Sequence, residues 1–212
     1  MRNVRRRVAT PPLLFYGVAA VDDEVGTGLP SATTRLVFRD IAAVVESAAP
    51  AVGDVDLERY TEVVTHVFER LPILPARPGT VFQSRDLLAQ WLELHYFTLA
   101  EALAFVTERG VARVTLSYAE PATPEVQEPP TVLEGKTAEV LRVLRRHAAA
   151  HLALPESKGE ADASRHSFLV ERERWDVFAE TVRQEDERHS ALTLALTGPW
   201  PAYDFVRMDF GG

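Results

Sequence analysis

One short stretch near the C-terminus, Gly198-Pro199-Trp200-Pro201, restricts the backbone of this 212-residue chain more than any other. Its two prolines fix φ at about −65° and push the residue before each of them towards an extended conformation, whereas glycine reaches angles closed to other residues. Aliphatic and β-branched residues alternate over positions 191–196, which predicts a strand leading into the stretch. We therefore expect a strand, a stiff corner and a second extended segment.

Three aromatic side chains lie at or just after this corner. Trp200, Tyr203 and Phe205 fall within six positions, and the last two share one face if the segment is extended. The rings either close a hydrophobic core or contact a partner. The residues alone favour the core, because large aromatic side chains are mostly buried.

The composition is typical of a globular protein, with 46% hydrophobic and 25% charged residues. A net charge of −8 argues against non-specific nucleic-acid binding, and the absence of cysteine excludes disulfides and thiolate metal sites. No signal peptide is recognisable, and no run approaches the ~20 apolar residues that cross a membrane. We expect a cytoplasmic protein without a membrane span.

The N-terminal half predicts an α+β domain over residues 13–109, preceded by a flexible basic arm over residues 1–12. Residues 13–21 form an apolar run typical of a central strand, and residues 36–38 and 41–45 predict a hairpin that turns at Arg39-Asp40.

Asp56 is placed to cap a helix that Pro72 stops. Residues 73–82 predict a bent, extended connector. A long helix over residues 85–109, capped by Ser84 and stopped by Gly110, is expected to link two domains.

The C-terminal half, residues 110–212, predicts a second α+β domain. A half-buried strand spans residues 111–118, and a linker follows over residues 120–130. Thr131 and Glu134 resemble a capping box that starts a helix reaching Leu152. A strand over residues 166–171, a helix over 173–188 and the strand before the corner complete the pattern. We predict an α+β fold of two small two-layer α/β sandwich domains, the C-terminal one ferredoxin-like in character.

No constellation of catalytic residues is recognisable. Glu62 and His66 lie four apart on one predicted helix, and His147 and His151 lie four apart on another, but exposed or core-edge side chains explain both spacings better than chemistry does. The loop before Ser84 lacks the motifs of nucleotide-binding loops. We predict no catalytic residue, no metal, no cofactor and no enzymatic activity.

Three segments together resemble the gas vesicle protein F/L family (GvpF and GvpL), and in the family's order they cover most of the chain. They are Phe15-Tyr16-Gly17-Val18, residues 73–82, and the C-terminal corner with its aromatic residues. Pro78 departs from the family, which commonly has an aromatic residue there. The motif residues, with a structural or partner-contact role, are Phe15, Tyr16, Gly17, Leu74, Pro75, Arg77, Gly79, Thr80, Phe82, Thr197, Gly198, Pro199, Trp200, Pro201, Tyr203 and Phe205.

The resemblance implies an accessory or minor structural protein, F-like or L-like, located in the cytoplasm and on gas vesicles. Its implied partners are the main gas vesicle shell protein and other accessory proteins, which it would assist during assembly. Docking could use a free sheet edge or the apolar stripe of the helix over residues 85–109. The alternatives are a two-domain regulatory module that binds a small molecule, and a cofactor-free enzyme that uses Glu62, His66 or His95.

Overall fold

A computed structural model describes residues 11–21, 29–48, 55–118, 129–155 and 163–206. These residues form an α+β fold with two antiparallel sheets and four α-helices. The chain divides into two compact units between Thr107 and Glu108. Most of the predicted basic arm and nearly all of the linker over residues 120–130 lie outside the described residues.

The first unit is built around a central strand. Its strands are β1 (Leu13–Ala20), β2 (Thr33–Phe38), β3 (Ile41–Ser47), β4 (Ile73–Pro75) and β5 (Val81–Phe82). The strand order is β2-β3-β1-β4, and β5 also pairs with β1. The prediction of a central β1 is confirmed, because the strand has hydrogen-bonded neighbours on both sides and buried residues on both faces.

The predicted hairpin turn at Arg39-Asp40 is also confirmed. Phe38 and Ile41 pair directly across it, and Arg39 takes a φ of +56°. The Arg39 guanidinium lies over the Tyr96 ring at 4.6 Å, and the Tyr96 hydroxyl donates a hydrogen bond to Asp40 at 2.6 Å. These contacts attach the turn to the helix that carries Tyr96.

Two helices cover opposite faces of this sheet. Helix α1 (Leu57–Phe68) and helix α2 (Arg85–Val106) begin at Asp56 and Ser84, whose side chains accept hydrogen bonds from backbone N–H groups as predicted. Neighbouring residues of β1 meet different helices. The ring of Tyr16 stacks on Tyr60 of α1, with centroids 6.2 Å apart, whereas Phe15 contacts Trp91 of α2 at 5.8 Å.

The end of α2 differs from the prediction. The helix stops at Val106, and the left-handed residue after it is Glu108, with a φ of +54°, rather than Gly110. Gly110 instead pairs with Val170 inside the next strand. Strand pairing therefore begins three residues after the helix ends, so residues 107–109 leave the helix earlier than their local pattern indicates.

The second unit confirms the ferredoxin-like expectation. Its elements are β6 (Arg109–Tyr118), α3 (Pro130–Leu144), β7 (Ala150–Ala153), β8 (Ala163–Glu171), α4 (Trp175–Arg188) and β9 (Leu192–Trp200). The βαββαβ order and the strand arrangement β7-β8-β6-β9 are those of that fold. Helix residues Leu144, Phe178 and Val182 pack with Val114 and Phe168 of the sheet in one buried core.

Helix α3 is shorter than predicted. It ends at Leu144, a single 3₁₀ turn follows, and Leu152 lies in strand β7 instead of anchoring the helix. The predicted capping box is wrong as well. The helix begins at Pro130, which places Thr131 inside the first turn, and no side chain caps it. None of the described helices has the length and hydropathy that a membrane span requires.

Candidate functional site

The first two motif segments meet in the first sheet. Gly17 pairs with Pro75, and Val18 pairs with Leu74, across β1 and β4. The backbone N–H of Phe15 donates to the carbonyl of Thr80 at 2.8 Å, and that of Ala76 donates to the carbonyl of Tyr16 at 2.9 Å. The residues around position 16 and those of 73–82 therefore form one structural unit.

Gly17 and Phe15 show why this unit needs its residue types. A Cβ at Gly17 would collide with the carbonyl oxygen of Leu74 and lie 3.1 Å from the Cα of Pro75, so only glycine lets the two strands approach. The fully buried ring of Phe15 contacts Phe82 edge-on, with centroids 5.4 Å apart. These motif positions serve packing.

Tyr16 joins a part-buried polar cluster. Its hydroxyl donates to Glu46 at 2.9 Å, and Arg59 donates to the same carboxylate oxygen at 3.1 Å. Burial, together with the hydrogen bond to Glu46, raises the pKa of Tyr16 to about 12. The phenol stays neutral at physiological pH and acts as a hydrogen-bond donor inside the fold.

Arg77, Gly79 and Thr80 form a turn beside this unit. The backbone N–H and the hydroxyl of Thr80 both donate to the carbonyl of Arg77, at 3.1 and 2.6 Å. Gly79 takes a φ of +80°, which glycine adopts without strain. The side chain of Arg77 is exposed, so among these motif residues it is available to a partner.

The C-terminal motif lies in the second unit. Strand β9 continues through Trp200, and the turn follows at residues 201–205, so the corner lies later than predicted and no second extended segment follows within the described residues. The Gly198–Pro199 peptide bond is cis, and Gly198 takes a φ of +121°. Trp200 is 39% exposed, and its indole N–H donates to the Thr197 hydroxyl at 3.2 Å.

Asp204 anchors the turn after the corner, a role that the motif pattern alone did not indicate. Arg113 of β6 donates two hydrogen bonds to its carboxylate, at 2.9 and 3.0 Å, and the buried hydroxyl of Ser167 donates a third at 2.5 Å. Burial raises the pKa of the neighbouring Tyr203. The one available signal was Arg113 on the polar side of a predicted half-buried strand.

The structure separates His147 from His151 and pairs His151 with His166. His147 lies in the 3₁₀ turn, whereas His151 of β7 and His166 of β8 have ring nitrogens 3.0 Å apart. Arg145 donates to Nδ1 of His151 at 3.2 Å, so the proton of His151 lies on Nε2, which donates to Nδ1 of His166. Both imidazoles are neutral in this arrangement, and burial lowers the pKa of each, that of His166 to about 4.

Two further titratable candidates, Glu62 and His95, contact different partners. Glu62 pairs with Arg59 at 2.8 Å, and the ring of His95 lies beside Trp91 with centroids 5.1 Å apart. Among the described residues, no group of three His, Asp or Glu side chains is arranged to hold a metal ion. That the protein works without a metal or cofactor remains a prediction.

Helix α2 carries apolar side chains on two sides. The side that faces the sheet matches the predicted stripe, with Leu88, Leu92, Leu99, Leu103 and Val106 buried. The opposite side, which we call the outer face of α2, is also apolar. It presents Leu87, Leu94, Phe97 and Phe105, which are 50%, 79%, 77% and 43% exposed.

Strand β9 is an edge of the second sheet, yet much of that edge is occupied. The backbone N–H of Leu194 donates to Asp186 at 2.7 Å, and that of Leu192 donates to the carbonyl of His189 at 2.8 Å. This edge is therefore protected against pairing with another strand.

Comparison with known proteins gives a consistent family. The model of a family described as "Gas vesicle synthesis protein GvpL/GvpF" matches residues 13–140 and 132–207. The chain is 24% identical to gas vesicle protein F2 of Halobacterium salinarum, with 94% of each chain covered. It is 25% identical to gas vesicle protein F of Haloferax mediterranei, with 94% and 95% covered.

Two solved structures share the fold. The crystal structure of the gas vesicle protein GvpF from Anabaena sp. PCC7120 matches with a TM-score of 0.75 at 14% identity, covering 95% of this chain and 98% of that one. That of GvpF from Microcystis aeruginosa matches with a TM-score of 0.69 at 15% identity, covering 94% and 100%. At these identities the likeness establishes the fold.

Proposed function

Because the chain belongs to the gas vesicle synthesis protein GvpL/GvpF family, we propose that it binds the main gas vesicle shell protein and assists vesicle assembly. In this role it is an accessory or minor structural protein of the cytoplasm and the vesicle, with other accessory proteins as further partners. It acts by binding and not by catalysis.

The outer face of α2 carries this proposal. Leu94 and Phe97 are each more than three-quarters exposed, and they lie on the same side of the helix as Leu87. A shell protein that lines a gas space must expose apolar surface, and such surface aggregates unless it is covered before incorporation. An apolar helix face offers that cover.

The stripe of α2 that was expected to dock a partner is buried against the sheet. The contacts favour the outer face of α2 over the other expected surface, a free sheet edge, at β9. Asp186 already accepts the Leu194 N–H, and the His189 carbonyl accepts the Leu192 N–H. A strand added there would have to displace the Asp186 carboxylate. A partner on α2 displaces water from the exposed apolar side chains of Leu87, Leu94 and Phe97, which is favourable.

The test is co-expression of the shell protein with this chain, following the soluble shell fraction and its co-purification. The wild type is expected to retain shell protein in solution. The double variant Leu94→Gln with Phe97→Gln is expected to lose most of it, because its helix face is polar. Val177→Gln is the matched control, since Val177 is 51% exposed on α4 of the other unit.

One result would contradict the proposed function, and another would contradict only the choice of docking surface. One is the absence of retained shell protein with the wild type, together with normal vesicles after deletion of this chain. The other is equal retention by the wild type and the double variant, which would move the binding surface away from α2 while leaving the function intact.

A further inference from the structure

The outer face of α2 has the spacing of a helix-to-helix seam. Positions 87, 90, 94, 97, 101 and 104 follow the alternating steps of three and four residues that define the a and d positions of a heptad repeat. Four of the six are apolar, namely Leu87, Leu94, Phe97 and Ala104. The seam runs over 18 residues, which is about 26 Å of helix.

The charges along this seam are all of one sign. Asp86, Glu93 and Glu101 are exposed, and none of them has an ion-pair partner among the described residues. From position 86 to position 106 the sequence contains no Lys or Arg. Glu101 lies within the seam itself, where a carboxylate needs a cationic side chain opposite it.

This charge pattern argues against a second copy of the chain as the occupant. Two α2 helices packed through their outer faces would bring carboxylates together, with no Lys or Arg between positions 86 and 106 to pair with them. A non-helical apolar partner would not match the heptad spacing of this face. The seam suits a helix that supplies both an apolar stripe and basic flanks.

We propose that the outer face of α2 binds an amphipathic helix of about five turns whose apolar stripe is flanked by Lys or Arg. This inference rests on the proposed function, because it names the kind of segment that a gas vesicle partner presents to α2. The apolar a and d residues give affinity, and Asp86, Glu93 and Glu101 select the basic flanks.

The test uses the full chain and two synthetic 21-residue helical peptides. Both carry Leu at every a and d position; one carries Lys at the flanking e and g positions, and the other carries Glu. The Lys peptide is expected to bind at least about tenfold more tightly than the Glu peptide, with an affinity that falls as salt is added. The Leu94→Gln variant is expected to bind the Lys peptide less tightly than the wild type does.

Charge reversal separates a specific seam from general attraction to an acidic protein. The triple variant Asp86→Lys, Glu93→Lys, Glu101→Lys is expected to reverse the peptide preference. A control triple variant makes the same change of net charge in the second unit, at the exposed residues Glu134, Glu173 and Asp176, and is expected to keep the wild-type preference. If the two triple variants behave alike, the inference is wrong.

Three other outcomes would also show that the inference is wrong. Binding of neither peptide, equal binding of both, or a wild-type dimer that Leu94→Gln dissociates would overturn the basic-helix partner. The peptide experiment contains no shell protein, so its failure is distinct from failure of the proposed function. Retention of shell protein by the wild type, combined with no peptide preference, would leave the function standing with a different mode of contact.

Discussion

Arg113 and Asp204, which are 91 positions apart, form a two-hydrogen-bond ion pair that holds the C-terminal turn on strand β6. The side chain of Asp204 is 14% exposed and also accepts a hydrogen bond from Ser167. The carboxylate therefore binds residues of two neighbouring strands, β6 and β8. The planar, forked guanidinium donates two roughly parallel hydrogen bonds to the carboxylate, so this contact is directional as well as charged.

We expect Asp204→Asn to destabilise the protein by about 1 to 3 kcal/mol, because Arg113 and the buried Ser167 lose a charged acceptor. Chemical denaturation followed by circular dichroism measures the effect. Glu134→Gln, an exposed carboxylate without such partners, is the control and is expected to change stability by less than about 0.5 kcal/mol. Equal stability of the two variants would show that the ion pair contributes nothing.

Gly198 and Trp200 are expected to differ in their importance for stability. A Cβ at position 198 would lie 2.5 Å from the carbonyl oxygen of Val111, at a φ of +121°, so Gly198→Ala is expected to cost roughly 2 to 4 kcal/mol. Trp200 is partly exposed, and Trp200→Ala is expected to cost about 1 to 2 kcal/mol, less than a buried aromatic residue. Thermal unfolding of both variants measures the two losses of stability. A larger loss for Trp200→Ala than for Gly198→Ala would contradict the prediction.

The His151–His166 pair predicts a pH dependence of stability. The folded pKa of His166 is lowered from its ordinary 6.5 to about 4, mainly by burial, so the unfolded chain binds more protons between these values. This contribution is fully present above pH 6.5, and it is lost as the pH falls towards 4. We expect the denaturation midpoint of His166→Gln to change less with pH, between pH 6.5 and 4.5, than that of the wild type. If the midpoints of both proteins change with pH to the same extent, the prediction is wrong.

Phe15 and Arg77 separate structural motif residues from candidate contact residues. Phe15→Ala is expected to cost roughly 3 to 5 kcal/mol, because it leaves a cavity beside Phe82 and Trp91. Arg77→Ala removes an exposed side chain and is expected to change stability by less than about 0.5 kcal/mol. If Arg77→Ala nevertheless impairs vesicle formation at normal protein level, Arg77 acts through a partner; a large loss of stability would contradict that role.

Much of the first unit was predictable from local patterns. The apolar run of β1, the Arg39-Asp40 turn and the caps Asp56 and Ser84 all depend on residues within a few positions of one another. The sheet-facing side of α2 follows from its helical period. Its apolar outer face was missed, because a periodicity that fits one buried stripe does not show that the remaining apolar residues are exposed.

Local signals in the sequence were enough to predict most of the secondary-structure elements, the absence of thiol chemistry and the family to which the motifs point. Residues 150–153 form a strand because of a tertiary contact, since pairing with β8 outweighs the helix preference of three successive alanines. The tertiary structure also brought His151 to His166 and Arg113 to Asp204. Such contacts join residues far apart in the chain, so they depend on sheet order and register, which no local pattern encodes.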